Sequence, residues 1–300
     1  MQHVLTAAQF DLQTLETILE QAKAMEDILE KDTPCKLAEG KILAALFYEP
    51  STRTRLSFET AMLRLGGQVI GETDVTFSSQ TKGEILSDTA RMVGGYADII
   101  AIRSKAGGDA KVVADYSGVP VINGGDGSAE HPTQGLLDLY TISKYFTLGK
   151  PLKVAFVGDL KYGRTVHSLC TLLRNFDNVE ISFVAPDSLQ IPDKYLKPGD
   201  QKLDHLSPEI LRKSDVIYDT RVQKERLEDP SVYEQVKDLF IFDAEKVNQM
   251  PAKSILMHPL PRINEITLEV DNLPQAKYFE QARNGVPIRM ALIARGLDLI

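Results

Sequence analysis

Short, unbroken apolar runs alternate with amphipathic stretches along most of this chain. Runs such as Ile42-Leu43-Ala44-Ala45-Leu46, bounded by polar turns, predict strands buried on both faces. They fall near 42–47, 68–71, 98–103 and 119–122, and again near 152–157, 179–184, 215–218, 239–242 and 254–257. Apolar residues at helical spacing predict helices near 11–31, 52–65, 83–94, 109–117 and 132–146, then near 162–175, 206–213, 231–237 and 275–283. A last apolar helical pattern (Met290, Leu292, Ile293, Leu297) follows Pro287, with Gly296 inside it. Alternation of this kind predicts an α/β chain in two halves, each a parallel sheet flanked by helices. Thr147-Leu148-Gly149-Lys150-Pro151 punctuates the join.

In open parallel sheets, ligands bind beyond the carboxyl ends of the strands. The unusual polar clusters of this chain fall there. Strand 42–47 leads into Ser51-Thr52-Arg53-Thr54-Arg55, where Pro50 and Ser51 mark a helix start with Ser51 as its cap. First-turn N–H groups carry partial positive charge, so arginines are misplaced there unless an anion joins them. Arg53 and Arg55 therefore point to a phosphate dianion, against the competing reading of two solvated side chains. The strand at 98–103 ends on Arg103. Strand 119–122 leads into a glycine-rich turn, Asn123-Gly124-Gly125-Asp126-Gly127, and on to His131-Pro132-Thr133-Gln134. In the second half the corresponding clusters are Gly158 to Thr165, Thr220-Arg221-Val222-Gln223 and His258-Pro259-Leu260-Pro261-Arg262. Arginines recurring at strand ends suggest a cleft for small polyanions.

Composition narrows the partners. A chain of 300 residues is long enough for two domains, each with its own core. The net charge of −8 argues against a general nucleic-acid binder, so any anion site is a local arginine cluster in an acidic protein. Cys35 and Cys170 lack metal-ligand spacing and exclude a disulfide scaffold, which fits a reducing cytoplasm. No apolar run approaches the ~20 residues of a membrane span, and the N-terminus lacks a signal-peptide pattern.

Individual clusters remain ambiguous. Gly158, Gly163, Arg164 and Thr165 nearly match a nucleotide phosphate loop, with arginine at the lysine position and no glycine inside the loop. With Val216-Ile217-Tyr218-Asp219 as a metal-binding strand, this supports a rival reading, a nucleotide-dependent phosphotransferase. Leu160, in the middle-glycine position, rules out a dinucleotide fingerprint. A lone His131 is more often structural, although Gln134 one turn on adds donors to its face. His258 reads as structural, and His167 as sharing a helix face with Arg164. Lys82, in the polar stretch Thr76-Phe77-Ser78-Ser79-Gln80-Thr81-Lys82-Gly83, reads on its own as a solvated lysine. No paired carboxylates, metal-ligand cluster or Ser/His/Asp triad stands out, so chemistry here would rest on positioning and charge stabilisation, without metal or cofactor.

Taken in order, the blocks at 47–58, 82–84, 123–134, 157–168, 220–226 and 258–266 resemble the catalytic chains of aspartate carbamoyltransferases over essentially the whole sequence. Ser51-Thr52-Arg53-Thr54-Arg55 is shared across carbamoyltransferases generally. Arg221-Val222-Gln223-Lys224-Glu225-Arg226 and His258-Pro259-Leu260-Pro261-Arg262 are more specific. Ornithine relatives carry His-Cys-Leu-Pro in the last block, so Pro259 favours aspartate as acceptor.

The resemblance implies a carbamoyl-phosphate-binding domain at 1–142 plus 284–300, with the C-terminal helix packing back on it, and an aspartate-binding domain at 143–283. It implies that Ser51, Thr52, Arg53 and Thr54 hold the phosphate, and that Arg103, His131 and the Thr54 hydroxyl polarise the carbamoyl oxygen. Gln134 and the carbonyls of Leu260 and Pro261 would orient the carbamoyl amide. Arg164 and Arg221 would grip the two aspartate carboxylates, with Thr165 and Gln223 beside them. Ser78 and Lys82 would enter the site of an adjacent subunit, which turns Lys82 from solvated to catalytic. The resemblance further implies a cytoplasmic homotrimer with shared active sites, possible regulatory chains, hinges near 142–150 and 283–287, and a place in de novo pyrimidine synthesis.

Overall fold

The structure is a computed structural model describing residues 2–31, 34–72, 83–127, 130–227 and 231–300. In chain order its elements are α1 (Leu12–Glu30), β1 (Ile42–Phe47), α2 (Thr52–Arg64), β2 (Gln68–Glu72), α3 (Leu86–Gly94), β3 (Ile99–Ser104), α4 (Asp109–Ser117), β4 (Val121–Asp126) and α5 (Pro132–Tyr145). There follow β5 (Leu152–Gly158), α6 (Arg164–Leu173), β6 (Val179–Val184), β7 (Gln201–Leu203), α7 (Pro208–Lys213), β8 (Val216–Thr220), α8 (Ser231–Val236), α9 (Ala244–Asn248), β9 (Ile255–Met257), α10 (Tyr278–Arg283) and α11 (Gly285–Gly296). The chain forms two compact units. One ends at Tyr140 and resumes over Asn284–Ile300; the other is Thr141–Arg283.

The first unit holds a four-stranded sheet in the order β2-β1-β3-β4, with every pair parallel. Strand β1 is apolar at every position because the sheet is covered on both faces. Helix α1 starts at Asp11, whose carboxylate accepts from the Thr14 amide at 2.8 Å. It buries Leu15, Ile18, Ala22 and Met25, spaced three or four apart as one helical face requires. The terminal helix α11 is buried almost throughout and packs on α1 and α2, back on the first unit.

The second unit holds a five-stranded parallel sheet in the order β7-β6-β5-β8-β9. One face buries Ala155, Val157, Ile217, Leu256 and Phe242. Phe156 stacks on Phe183 at 5.7 Å and meets Tyr218 edge-on at 5.6 Å. In each sheet the strand order reverses beside the first strand, between β1 and β3 and between β5 and β8. Those reversals open crevices at the carboxyl ends, the usual ligand position in such sheets.

Several elements differ from the sequence expectation. Residues 239–242 form no ladder strand; Phe240 and Phe242 are buried against the core, and Phe242 makes only an isolated bridge to Ile266. Their apolar signal is packing rather than pairing. The short strand β7 and helix α9 were not anticipated. The glycine-rich stretch expected as a turn is instead the end of β4: Ile102 pairs with Asn123 and Ser104 with Asp126, with a register shift between them. A bulge absorbs the extra residue, and glycine allows Gly125 its φ of +126°.

Gly158 closes β5 with φ +104°, and a Cβ built there would lie 2.1 Å from the Thr220 carbonyl oxygen. Both the backbone conformation and the approach of β8 require glycine. On α6, His167 is buried, donates from Nε2 to the Leu160 carbonyl at 2.8 Å and stacks on Tyr195 at 4.4 Å. Burial drives its pKa down to about 4.

Two outcomes follow from these contacts. Gly158→Ala should lower unfolding free energy by about 3 kcal/mol, measured by urea denaturation; a loss below ~1 kcal/mol would contradict the close approach. Between pH 6.5 and 4 the unfolded chain takes a proton at residue 167 that the folded chain refuses. The resulting stability is present above pH 6.5 and lost as pH falls toward 4, by an amount on the order of 3 kcal/mol. His167→Gln, which can still donate to Leu160, should flatten that acid slope; an unchanged slope would contradict the assignment.

Candidate active site

In the first unit, β1 delivers Tyr48-Glu49-Pro50-Ser51 to the start of α2. Ser51 occupies the N-cap position as expected, although its hydroxyl does not bond back to the first turn. Thr52 and Arg53 are exposed there, Ser51 is half-buried, and Thr54 is buried. Arg55 does not face an open anion site: its Nε meets Glu59 at 2.6 Å, one turn along the same helix. The next strand, β3, brings Arg103 beside this segment, where its Nε donates to Glu49 at 2.9 Å. The Tyr48 amide bonds the Arg103 carbonyl at 2.9 Å and ties the two strand ends together.

Strand β4 leads to His131, buried at 4% exposure, and Gln134 follows in the first turn of α5. Asp126 and Glu130 accept from backbone amides elsewhere in this unit. Asp126 accepts from the Gly108 amide at 2.8 Å, and Glu130 accepts from the Ala7 amide at 3.2 Å. Ser51, Thr52, Arg53, Thr54, Arg103, His131 and Gln134 thus gather at neighbouring strand ends of one sheet. Ser78 and Lys82 lie outside the described residues.

In the second unit, the turn after β5 carries Arg164 and Thr165 at the start of α6, and the turn after β8 carries Arg221 and Gln223. Asp159 joins the two turns. It is fully buried and accepts from the amides of Tyr162 at 3.0 Å and Gln223 at 3.1 Å. Burial raises its pKa, while those amides and the charges of Arg226 and Arg221 pull the other way. The Gln223 side chain donates to the Tyr162 carbonyl at 3.1 Å, as Arg226 does at 3.2 Å.

This turn is not a nucleotide phosphate loop. The amide of Leu160 bonds the Leu189 carbonyl, that of Tyr162 bonds Asp159, and that of Arg164 bonds the Tyr162 carbonyl. Such a loop needs its amides turned toward phosphate. Asp219, the residue offered as a metal ligand, is fully buried in β8, and neither oxygen is hydrogen-bonded. Burial and the nearby Glu265 carboxylate hold it well above the usual carboxylate range.

Strand β9 leads to Leu260 and Pro261, joined by a cis peptide, with Leu260 at φ +54°. His258 supports this turn from a fully buried position. Its Nδ1 accepts from the Leu260 amide at 2.8 Å, so Nε2 carries the proton and faces Glu265 at 2.9 Å. Burial lowers the His258 pKa and keeps the ring neutral. Arg262 is a structural arginine: its fork closes on Asp271, with Nη2–Oδ2 at 2.7 Å, over the rings of Tyr278 and Phe279.

Sequence reasoning passed over Asp138 and Arg289, both buried in the first unit. A charged residue inside each of two apolar helical patterns was the available signal. No group of three or more His, Cys, Asp or Glu side chains that could hold a metal occurs among the described residues.

Comparison with known proteins gives this geometry a family. Residues 2–144 match the family model described as aspartate/ornithine carbamoyltransferase, carbamoyl-P binding domain, and residues 150–295 match the Asp/Orn binding domain of the same family. The aspartate carbamoyltransferase catalytic subunit of Methanocaldococcus jannaschii is 50% identical over 99% of this chain and 98% of its own length. That of Methanococcus maripaludis is 49% identical over 98% and 97%. A crystal structure of the M. jannaschii catalytic subunit superposes with a TM-score of 0.91 at 48% identity, covering 99% of this chain and 98% of that one. Aspartate transcarbamoylase from Trypanosoma cruzi, solved with carbamoyl phosphate and aspartate, superposes with a TM-score of 0.92 at 36% identity over 97% and 95%. The same enzyme has been solved with N-(phosphonacetyl)-L-aspartic acid. The chain belongs to the aspartate/ornithine carbamoyltransferase family.

Proposed function

We propose that this protein transfers the carbamoyl group of carbamoyl phosphate to the amino group of L-aspartate, giving N-carbamoyl-L-aspartate and phosphate, in de novo pyrimidine synthesis. The observation that carries the reading is the whole-length likeness to a transcarbamoylase solved with both of these substrates. The unit ending at Tyr140 and resuming at Asn284 is the carbamoyl-phosphate domain, and Thr141–Arg283 the aspartate domain. Arg164 and Arg221 favour a dicarboxylate acceptor, because a guanidinium fork matches a carboxylate and repels the cationic side chain of ornithine.

The chemistry is positioning and charge. Ser51, Thr52, Arg53 and Thr54 hold the phosphate on the N-terminus of α2, where backbone amides favour an anion. Arg103 joins them from the end of β3. The aspartate amine attacks the carbamoyl carbon and a tetrahedral oxyanion forms. Arg103, His131 and the Thr54 hydroxyl stabilise it, each donor worth about 3 kcal/mol. Gln134 and the carbonyls of Leu260 and Pro261 orient the carbamoyl NH2, while Arg164, Thr165, Arg221 and Gln223 hold aspartate. The C–O bond to phosphate then breaks, and the departing phosphate takes the amine proton.

The same reading includes a cytoplasmic homotrimer, with Ser78 and Lys82 serving the site of an adjacent subunit. Exposed Leu56 and Leu63 on α2, Ile70 on β2, and Ile85, Met92 and Tyr96 around α3 support a protein partner on this unit. Relatives named as catalytic subunits make associated regulatory chains part of the proposal. Among the described residues, no helix is long and apolar enough to cross a membrane.

Carbamoylated product and phosphate should form with aspartate and not with ornithine when the two are offered in parallel. Product with ornithine alone would overturn the acceptor assignment, and no product with either would overturn the reaction. His131→Ala should lower turnover about a hundredfold; unchanged turnover would remove His131 from the oxyanion site.

A further inference from the structure

Gln134, the side chain placed against the carbamoyl NH2, is itself held from behind. Its amide nitrogen donates to Asp138 Oδ1 at 2.9 Å, one turn along α5. A carboxylate can only accept hydrogen bonds, so nitrogen must face Asp138 and the amide oxygen must turn the other way. Without such a partner, a glutamine amide presents oxygen or nitrogen with little preference.

Asp138 is fully buried, and a buried carboxylate needs a matching charge. Arg289, at 2% exposure on α11, is the buried cation whose charge that of Asp138 supports. Burial drives the guanidinium down to about 9, while the Asp138 charge supports it. The group lies over the Phe58 ring, 5.0 Å from its centre, and Nη2 donates to the Thr133 hydroxyl at 3.4 Å. Its place depends on Gly285, where a Cβ would stand 2.2 Å from Nη1. A charged residue so embedded in an apolar helix is costly unless a specific geometry needs it.

We infer that Asp138 and Arg289 are positioning residues that lock the Gln134 amide with its oxygen toward the substrate, so that the site selects an acyl phosphate carrying an NH2 donor. The inference rests on the carbamoyl-transfer reading and on the place of Gln134 in it. A site built to accept a hydrogen bond rejects an analogue that cannot donate one. Acetyl phosphate is that analogue: it carries the same phosphate and carbonyl, with methyl in place of NH2.

The test compares carbamoyl phosphate with acetyl phosphate in the wild type, Asp138→Asn, Gln134→Ala and the double variant. Preference is read as the ratio of kcat/KM or, where acetyl transfer is slow, as the ratio of binding constants. Asp138→Asn should cut the preference about tenfold and leave inorganic phosphate affinity unchanged. Gln134→Ala should cut it as much, and adding Asp138→Asn should then change nothing further. An unchanged preference in Asp138→Asn would overturn the inference. So would an equal further loss on the Gln134→Ala background, because Asp138 would then act through something else. Should Asp138→Asn fail to fold with Arg289 unmatched, the charge-neutral pair Asp138→Asn/Arg289→Gln replaces it with the same two readings. Wild-type protein that binds both acyl phosphates but transfers nothing to aspartate would overturn the functional reading alone, since binding still decides the positioning.

Discussion

Every strand in both sheets runs in the same direction, and that fixes where chemistry can sit. Parallel order gathers the carboxyl ends of the strands at one edge of each sheet, and the helices that follow present their first turns there. Those turns carry N–H groups with no partner inside the helix, so the edge is electropositive before any side chain is counted. In a protein of net charge −8, an anion site needs that backbone contribution and a local concentration of arginine. The segment from β1 into α2 supplies both.

Arginine at such an edge is not by itself a ligand contact. Arg262 stands after β9 as prominently as Arg221 stands after β8, yet its fork is closed by Asp271 and its face covered by aromatic rings. Arg55 sits two residues from Arg53 and is answered by Glu59. Those two guanidiniums are answered within their own unit, the first by Asp271 and the second by Glu59. Arg289 is an extreme case, buried over the Phe58 ring with its Nη2 donating to the Thr133 hydroxyl at 3.4 Å. The turn at 258–265 does the same with a neutral histidine, holding Leu260 through one ring nitrogen and Glu265 through the other.

Much of this was legible in the sequence for a physical reason. A strand buried on both faces must be apolar throughout, so β1, most of β3 and the middle of β5 stood out, and the polar residues beyond them marked the candidate site. The reading failed where apolar character had another cause. Phe240 and Phe242 are core residues that belong to no ladder, and the short edge strand β7, Gln-Lys-Leu, has no apolar run to notice. Glycines at 124 and 125 suggested a turn but serve a bulged strand end. Gln134 was visible as a polar residue on an apolar helix. Asp138 and Arg289 are 151 positions apart, and only the fold brings α11 back against α5. Ser78 and Lys82 had no local signature and were assigned by resemblance alone.

The central claim is that two separate arginine-bearing edges hold the two ends of one reacting pair. N-(phosphonacetyl)-L-aspartate carries a phosphonate at one end and the aspartate carboxylates at the other, so calorimetric titration with this compound tests the claim most directly. The account predicts tight binding by the wild type and at least a tenfold weakening in both Arg53→Ala and Arg221→Ala, the first losing the phosphonate contact and the second a carboxylate contact. Full affinity in either variant would contradict it.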